Sequence, residues 1–263
     1  MEKLRDRFWI WGHPTNSLYG CFGLNKPSAM SPVDGMQYLG ATNLFYVPMG
    51  RPTDREKESA AMACAKESGW SIEMAAANPQ RVTEIAALAK RHPNLKRGIF
   101  DDFLNDDNPS NNYLHYTPAL LAGFRQELNA AGVSMWMVLY TKQLSMAQAL
   151  TPYLETFDGI SLWFWNEEDI AHFDRHLADF IALTPGKQRL LGCYLYDFGG
   201  KKPVDPAGVL FQLDRAKTLI LQNKLEGVIL HTNVVADMGF AGVQAAKDWL
   251  AEHGDEPIAA HEA

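Results

Sequence analysis

Gly159-Ile160-Ser161-Leu162-Trp163-Phe164-Trp165 is followed by Asn166-Glu167 and then by an amphipathic segment that runs to Leu183 and stops before Pro185-Gly186. The seven residues alternate in character. Ile160, Leu162 and Phe164 form one face, and Gly159, Ser161, Trp163 and Trp165 form the other. A short alternating run predicts a strand, because strand side chains point to opposite faces in turn. The segment closed by Pro-Gly predicts a helix. The unit is therefore a strand leading into a helix, with polar and aromatic groups at the join.

The same unit recurs along the chain. Apolar, aromatic-rich runs at Arg7–His13, Asn43–Met49, Trp70–Met74, Arg97–Asp102, Ser134–Tyr140, Leu190–Asp197 and Gly227–Asn233 bring the predicted strands to eight. Predicted helices lie between them, opening at Ser31-Pro32 and spanning Asp54–Ser68, Pro79–His92, Pro118–Ala131, Thr151–Phe157, Glu167–Leu183, Pro206–Gln222 and Gly239–His253. Thr117, Thr151 and Asp205 each precede a proline, as an N-cap precedes Pro at the first helical position. Strictly alternating strands and helices imply a parallel α/β protein, and eight pairs in one chain imply a closed (β/α)8 TIM barrel. A doubly wound open sheet is the competing architecture. It usually carries a glycine-rich phosphate loop after its first strand, and Gly20 and Gly23 fit neither phosphate motif. The barrel is expected over residues 1–254 as one domain, with 255–263 as a flexible C-terminal tail.

Composition agrees with one large core. The 263 residues are 47% hydrophobic and 21% charged, and 24 basic against 31 acidic side chains leave a formal charge of −7. That balance argues against nucleic acid or an anionic membrane as partner. Cys21, Cys64 and Cys193 are odd in number and far apart, so they form neither a disulfide framework nor a zinc motif. Met1–Arg7 has no apolar run of signal-peptide length. A cytoplasmic location is expected, or a secreted or periplasmic one if a signal segment has been removed. The oligomeric state is open. The chain also holds 29 aromatic residues, seven of them tryptophans.

Barrel enzymes gather their chemistry at the C-terminal ends of the strands. Aligning strands on Gly98, Gly159, Gly192 and Gly227 as inward residues places Asp102, Trp163, Tyr196 and His231 four positions further on, at the mouth. The strand ends then present carboxylates at Asp101, Asp102, Glu167 and Asp197, the candidate catalytic groups. Around them come Trp11, His13, Tyr46, Glu73, Tyr140, Trp165, Tyr196, His231 and Asn233 as candidate substrate-binding residues. Glycoside hydrolysis needs two carboxyl groups at the scissile bond, and adjacent aspartates raise one another's proton affinity, as a general acid requires. Indole and phenol rings suit the apolar faces of sugars. Each carboxylate has a structural use as well: a strand-terminal aspartate often caps the loop or helix that follows.

Gly98-Ile99-Phe100-Asp101-Asp102-Phe103, Trp163-Phe164-Trp165 and Gly192-Cys193-Tyr194-Leu195-Tyr196-Asp197-Phe198-Gly199 resemble a group of largely uncharacterised bacterial proteins with a glycoside-hydrolase-like barrel. The resemblance implies a carbohydrate-related (β/α)8 barrel and leaves the substrate open. The Asn-Glu acid signature that follows strand four in the largest glycosidase clan is absent here. The expected function is a carbohydrate-active hydrolase without a cofactor. Asp102 and either Asp197 or Glu167 serve as the acid and its partner. One alternative is a metal-dependent sugar isomerase or epimerase, with ligands drawn from His13, Glu73, Asp102, Glu167 and His231. The other is a non-catalytic carbohydrate-binding barrel.

Overall fold

A computed structural model describes residues 1–72, 79–104 and 113–258 of the chain. Eight parallel strands close into one barrel: β1 (Phe8–Gly12), β2 (Asn43–Tyr46), β3 (Ser68–Ser71), β4 (Leu95–Phe100), β5 (Ser134–Tyr140), β6 (Gly159–Trp163), β7 (Gln188–Tyr194) and β8 (Gly227–His231). Each pairs with its sequence neighbours, and β1 closes the ring on β8 through pairs such as Trp11 with His231. The helices surround this ring, and the architecture is a (β/α)8 TIM barrel. Among the described residues, no helix is long and apolar enough to cross a membrane.

Helix starts follow the caps legible in the sequence, with one exception. The Thr117 hydroxyl accepts the amide of Leu120, the Asp205 carboxylate accepts that of Ala207, and the Ser31 hydroxyl accepts that of Asp34. Thr151 is not a cap. It is the first residue of a four-residue helix, and its hydroxyl donates back to the Gln148 carbonyl.

The barrel interior is filled by aromatic rings fitted over glycines. A Cβ at Gly69 would overlap the Phe45 ring, one at Gly159 the Trp136 indole, and one at Gly192 the Trp163 indole. Each of these three glycines thus receives an aromatic side chain from the strand before it. Trp163 and Trp136 also donate their indole N–H to Ser161 and Ser134, two residues earlier on their own strands, at 2.8 Å. Every polar handle on these buried rings is thereby satisfied.

β4 departs from the expected phase. Arg97, not Gly98, points inward, with its guanidinium 4.3 Å from the Trp9 ring centroid and 4.4 Å from that of Trp136. Its Nε lies 3.4 Å from Glu67. A cation held between two indole faces closes the lower end of the barrel. Gly98 then faces outward, toward Ile72 and Leu128, and Phe100 packs on Phe103, Tyr116 and Phe157. The inward series on β4 is therefore Arg97, Ile99 and, beyond the strand, Asp101.

The C-terminus is also held more firmly than a tail. Lys3 pairs with Pro257 in a β-bridge, Asp255 binds Lys3 and Arg5, and Ile258 is buried. Residues 255–258 thus belong to the body of the barrel, and 259–263 lie outside the described residues.

Candidate active site

A cavity of about 120 Å³ opens at the C-terminal end of the strands. Its floor is aromatic. Trp11 from β1 and Trp163 from β6 meet edge to face at 5.3 Å between centroids, and Tyr194 from β7 lies 5.1 Å from Trp163. Trp165 stands above them, edge-on to Tyr140 and Tyr194. Leu18 and Phe22, from the loop after β1, and Phe198 complete the apolar wall.

The polar wall is made by Asp101 and Asp102. Consecutive residues on a regular strand face opposite sides, yet both of these border the cavity. The reason is local. The strand ends at Phe100, and Asp102 takes a left-handed conformation with φ of 54°, which aspartate tolerates better than most residues. Asp102 Oδ1 accepts the Tyr140 hydroxyl at 2.9 Å. Asp101 is held well above the ordinary carboxyl range, first by burial and then by the Asp102 charge, and the Asp102 backbone amide offsets this in part. The Tyr140 and Tyr194 phenols are pushed up as well, by burial and by the same two carboxylates. The site thus holds a carboxyl with raised proton affinity beside one that draws a phenol hydrogen bond.

His13 and His231 form the third group. His13 Nδ1 lies 3.1 Å from the Val47 carbonyl, and His13 Nε2 lies 3.4 Å from His231 Nε2. Burial lowers the His13 pKa to about 4, and burial together with His13 holds His231 well below its usual value. Both rings are therefore neutral at pH 7. A carbonyl only accepts, so His13 carries its proton on Nδ1, and its Nε2 accepts from His231 Nε2–H. That leaves His231 Nδ1 as a bare acceptor, and it is buried without a hydrogen-bond partner.

Of the residues expected at the site, Trp11, His13, Asp101, Asp102, Tyr140, Trp165 and His231 border the cavity, together with Trp163 and Tyr194. Of the others, Asp197, Glu167, Tyr46, Tyr196 and Asn233 lie away from the cavity lining. Asp197 is buried in a hairpin formed by Tyr196–Asp197 and Lys202–Pro203, and it accepts the Gly200 amide at 2.7 Å. Glu167 pairs with Lys202 at 2.9 Å and accepts the Asp205 amide at 2.9 Å; these two partners hold its pKa below the usual value. Neither carboxylate borders this cavity; the carboxylates that line it are Asp101 and Asp102.

Tyr46 lies outside the barrel wall against Trp70, at 4.7 Å, because Phe45 takes the inward position of β2. Tyr196 falls past the end of β7, where Tyr194 already occupies the inward place. Its hydroxyl donates to the Phe22 carbonyl, and its ring stacks on Phe240. The Asn233 side chain accepts the His13 amide and donates to the His13 and Met30 carbonyls, so it ties β1 to the segment after β8. Glu73 lies outside the described residues. Among the described residues, no three His, Cys, Asp or Glu side chains group closely enough to hold a metal ion. Tyr194 shares the inward phase of Gly192 and reads from sequence as barrel filling, and it borders the cavity.

The chain matches no protein-family model. No curated protein matches it in sequence. Among solved structures, a chitinase from Chromobacterium violaceum is 10% identical with a TM-score of 0.56, over 92% of this chain and 98% of that one. The active domain of a thermostable chitinase from Pyrococcus furiosus is 11% identical with a TM-score of 0.55, over 86% and 83%. A chain of the tryptophan synthase complex from Pyrococcus furiosus is 10% identical with a TM-score of 0.54, over 94% and 97%. The likeness is one of fold. These enzymes perform different chemistries on the same barrel, so what this chain does rests on its own side chains.

Proposed function

We propose that the chain is a glycoside hydrolase whose acid group is Asp101, acting beside Asp102 in an aromatic sugar pocket. The observation that carries this reading is the vicinal pair itself: one carboxyl with raised proton affinity next to a second that accepts the Tyr140 hydroxyl, both facing indole rings. A protonated carboxyl at neutral pH is the reagent that a departing glycosidic oxygen needs. Asp101 passes its proton to that oxygen as the bond to the anomeric carbon breaks. Asp102 opposes the positive charge that develops on the sugar ring. Water adds its oxygen to the anomeric carbon, and the proton it sheds restores Asp101. Trp11, Trp163 and Trp165 offer flat apolar faces to the sugar, and the neutral histidines offer hydrogen bonds to its hydroxyls.

A screen of alkyl and aryl glycosides with the wild type and Asp101→Asn tests the reading. Loss of the acid costs about 10²–10⁴-fold on alkyl glycosides. It costs far less on 2,4-dinitrophenyl glycosides, whose leaving group needs no proton. In the wild type, turnover of alkyl glycosides falls as pH rises through the raised pKa of Asp101, because the ionised form has no proton to give. Equal losses on both substrate types, or none on either, would remove Asp101 from the acid role. Sugar binding without turnover of any glycoside by the wild type would make the chain a binding barrel instead.

A further inference from the structure

The cavity is unusual in the sign of its polar groups. Asp101 and Asp102 border it, and among the described residues no lysine or arginine does. Lys142 has its ammonium 5.9 Å from the Tyr140 ring centroid and is not part of the wall. Both histidines that border it are neutral for the reasons given above. His231, nine-tenths buried, borders the cavity with a partnerless Nδ1 that the hydrogen-bond chain through His13 fixes as an acceptor. Beside the apolar Leu18, Phe22, Met49, Val138 and Phe198, the rings of Trp11, Trp163, Trp165, Tyr140 and Tyr194 line the cavity, and their π faces are electronegative. Carboxylate, bare imidazole nitrogen and ring faces share one preference. Each is satisfied by a positively charged N–H donor, and each disfavours an anion.

We infer that the cavity selects a ligand bearing a protonated amine, and that its sugar is an amino sugar with a free, unacylated nitrogen. The choice of a sugar rests on the glycosidase reading; the choice of a cation does not. The ammonium donates to Asp102 and to His231 Nδ1 while its substituents lie against the indoles. An N-acyl group removes the charge, and a uronic acid reverses it. The small volume suits one ring at the charged position.

Titration calorimetry at pH 7, with tryptophan fluorescence as a second readout, tests this on the wild-type protein. The probes are glucosamine, glucose, N-acetylglucosamine, glucuronate and tetramethylammonium. Glucosamine is expected to bind at least tenfold more tightly than glucose or N-acetylglucosamine, with glucuronate weakest and tetramethylammonium competing with glucosamine. In Asp102→Asn the ratio of glucosamine to glucose affinity is expected to collapse toward one. Glucosamine binding no tighter than glucose, or glucuronate preferred to both, overturns the inference. Turnover of neutral glycosides without any preference for cations overturns it too and leaves the glycosidase reading intact. Binding of both cations without turnover of any glycoside does the reverse.

Discussion

His13 shows how one buried side chain makes stability depend on pH. Its imidazole is almost fully enclosed, with Nδ1 committed to Val47 and Nε2 to His231. Its pKa falls from 6.5 to about 4. A histidine with a depressed folded pKa stabilises the fold above its unfolded pKa, and that contribution is lost as pH falls toward the folded one. Between pH 6.5 and 4 this group alone removes about 3 kcal/mol. His13→Asn keeps a donor for the Val47 carbonyl and carries no titrating ring. Denaturant melts of this variant should fall less steeply over that interval than those of the wild type; parallel curves would mean that His13 is not the titrating group. The importance of His13 was legible in the sequence, because it ends the first strand. Its pairing with His231 also followed from barrel closure. Asp101 and Asp102 were both legible as strand-end carboxylates; the backbone geometry that puts them on one wall was not. That outcome depends on a left-handed backbone at Asp102, and alternation along a strand predicts that only one of the two faces inward.

The ring-over-glycine fit links neighbouring strands and reaches the cavity at one point. Gly192 on β7 lies beneath Trp163 on β6, and Trp163 is part of the cavity floor. Gly192→Ala forces the indole upward, because the new methyl overlaps the ring and neither strand can retreat. Overpacking of this kind costs about 1–3 kcal/mol. Gly159→Ala makes the same clash with Trp136, which does not border the cavity. Both variants should lose stability by a similar amount, and only Gly192→Ala should weaken ligand binding. Measuring both in thermal melts and calorimetry separates a site effect from a packing effect; equal binding losses would show that the floor does not depend on the position of Trp163. The phases of β6 and β8 were readable because small or polar and bulky residues alternate cleanly there, and β7 followed by aligning Gly192 with their inward glycines. β4 was misread because Gly98 resembles the other inward glycines. The deciding factor is Arg97, whose long cation finds two indole faces inside the barrel, Trp9 from β1 and Trp136 from β5. Those partners come from distant parts of the chain, and no local pattern announces them.

At the scale of the whole barrel, the seam between β1 and β8 joins the two ends of the chain. Strand pairing supplies its lower part, from Phe8 with Val228 to Trp11 with His231. Above that level the ladder stops and Asn233 takes over. It binds both backbone polar groups of His13 and the Met30 carbonyl, while Thr232 donates to the Trp11 carbonyl. Eight strand–helix units imply closure, and the sequence read that correctly. It read Asn233 as a ligand because a polar residue at a strand end faces the mouth by default, and only the folded seam shows that its side chain is fully used. Removing that side chain leaves the buried His13 amide, the His13 carbonyl and the Met30 carbonyl without their partner. Buried groups stranded in this way cost about 1–3 kcal/mol each, less whatever water recovers. Asn233→Ala should therefore lower stability by roughly 3 kcal/mol and loosen His13 along with the seam. Hydrogen exchange at the His13 amide gives a direct readout, since that proton is held by Asn233 alone among the bonds described. Accelerated exchange there, with the central strands β5 and β6 still protected, marks an opening at the seam. Unchanged exchange with unchanged stability would mean that strand pairing alone closes the barrel.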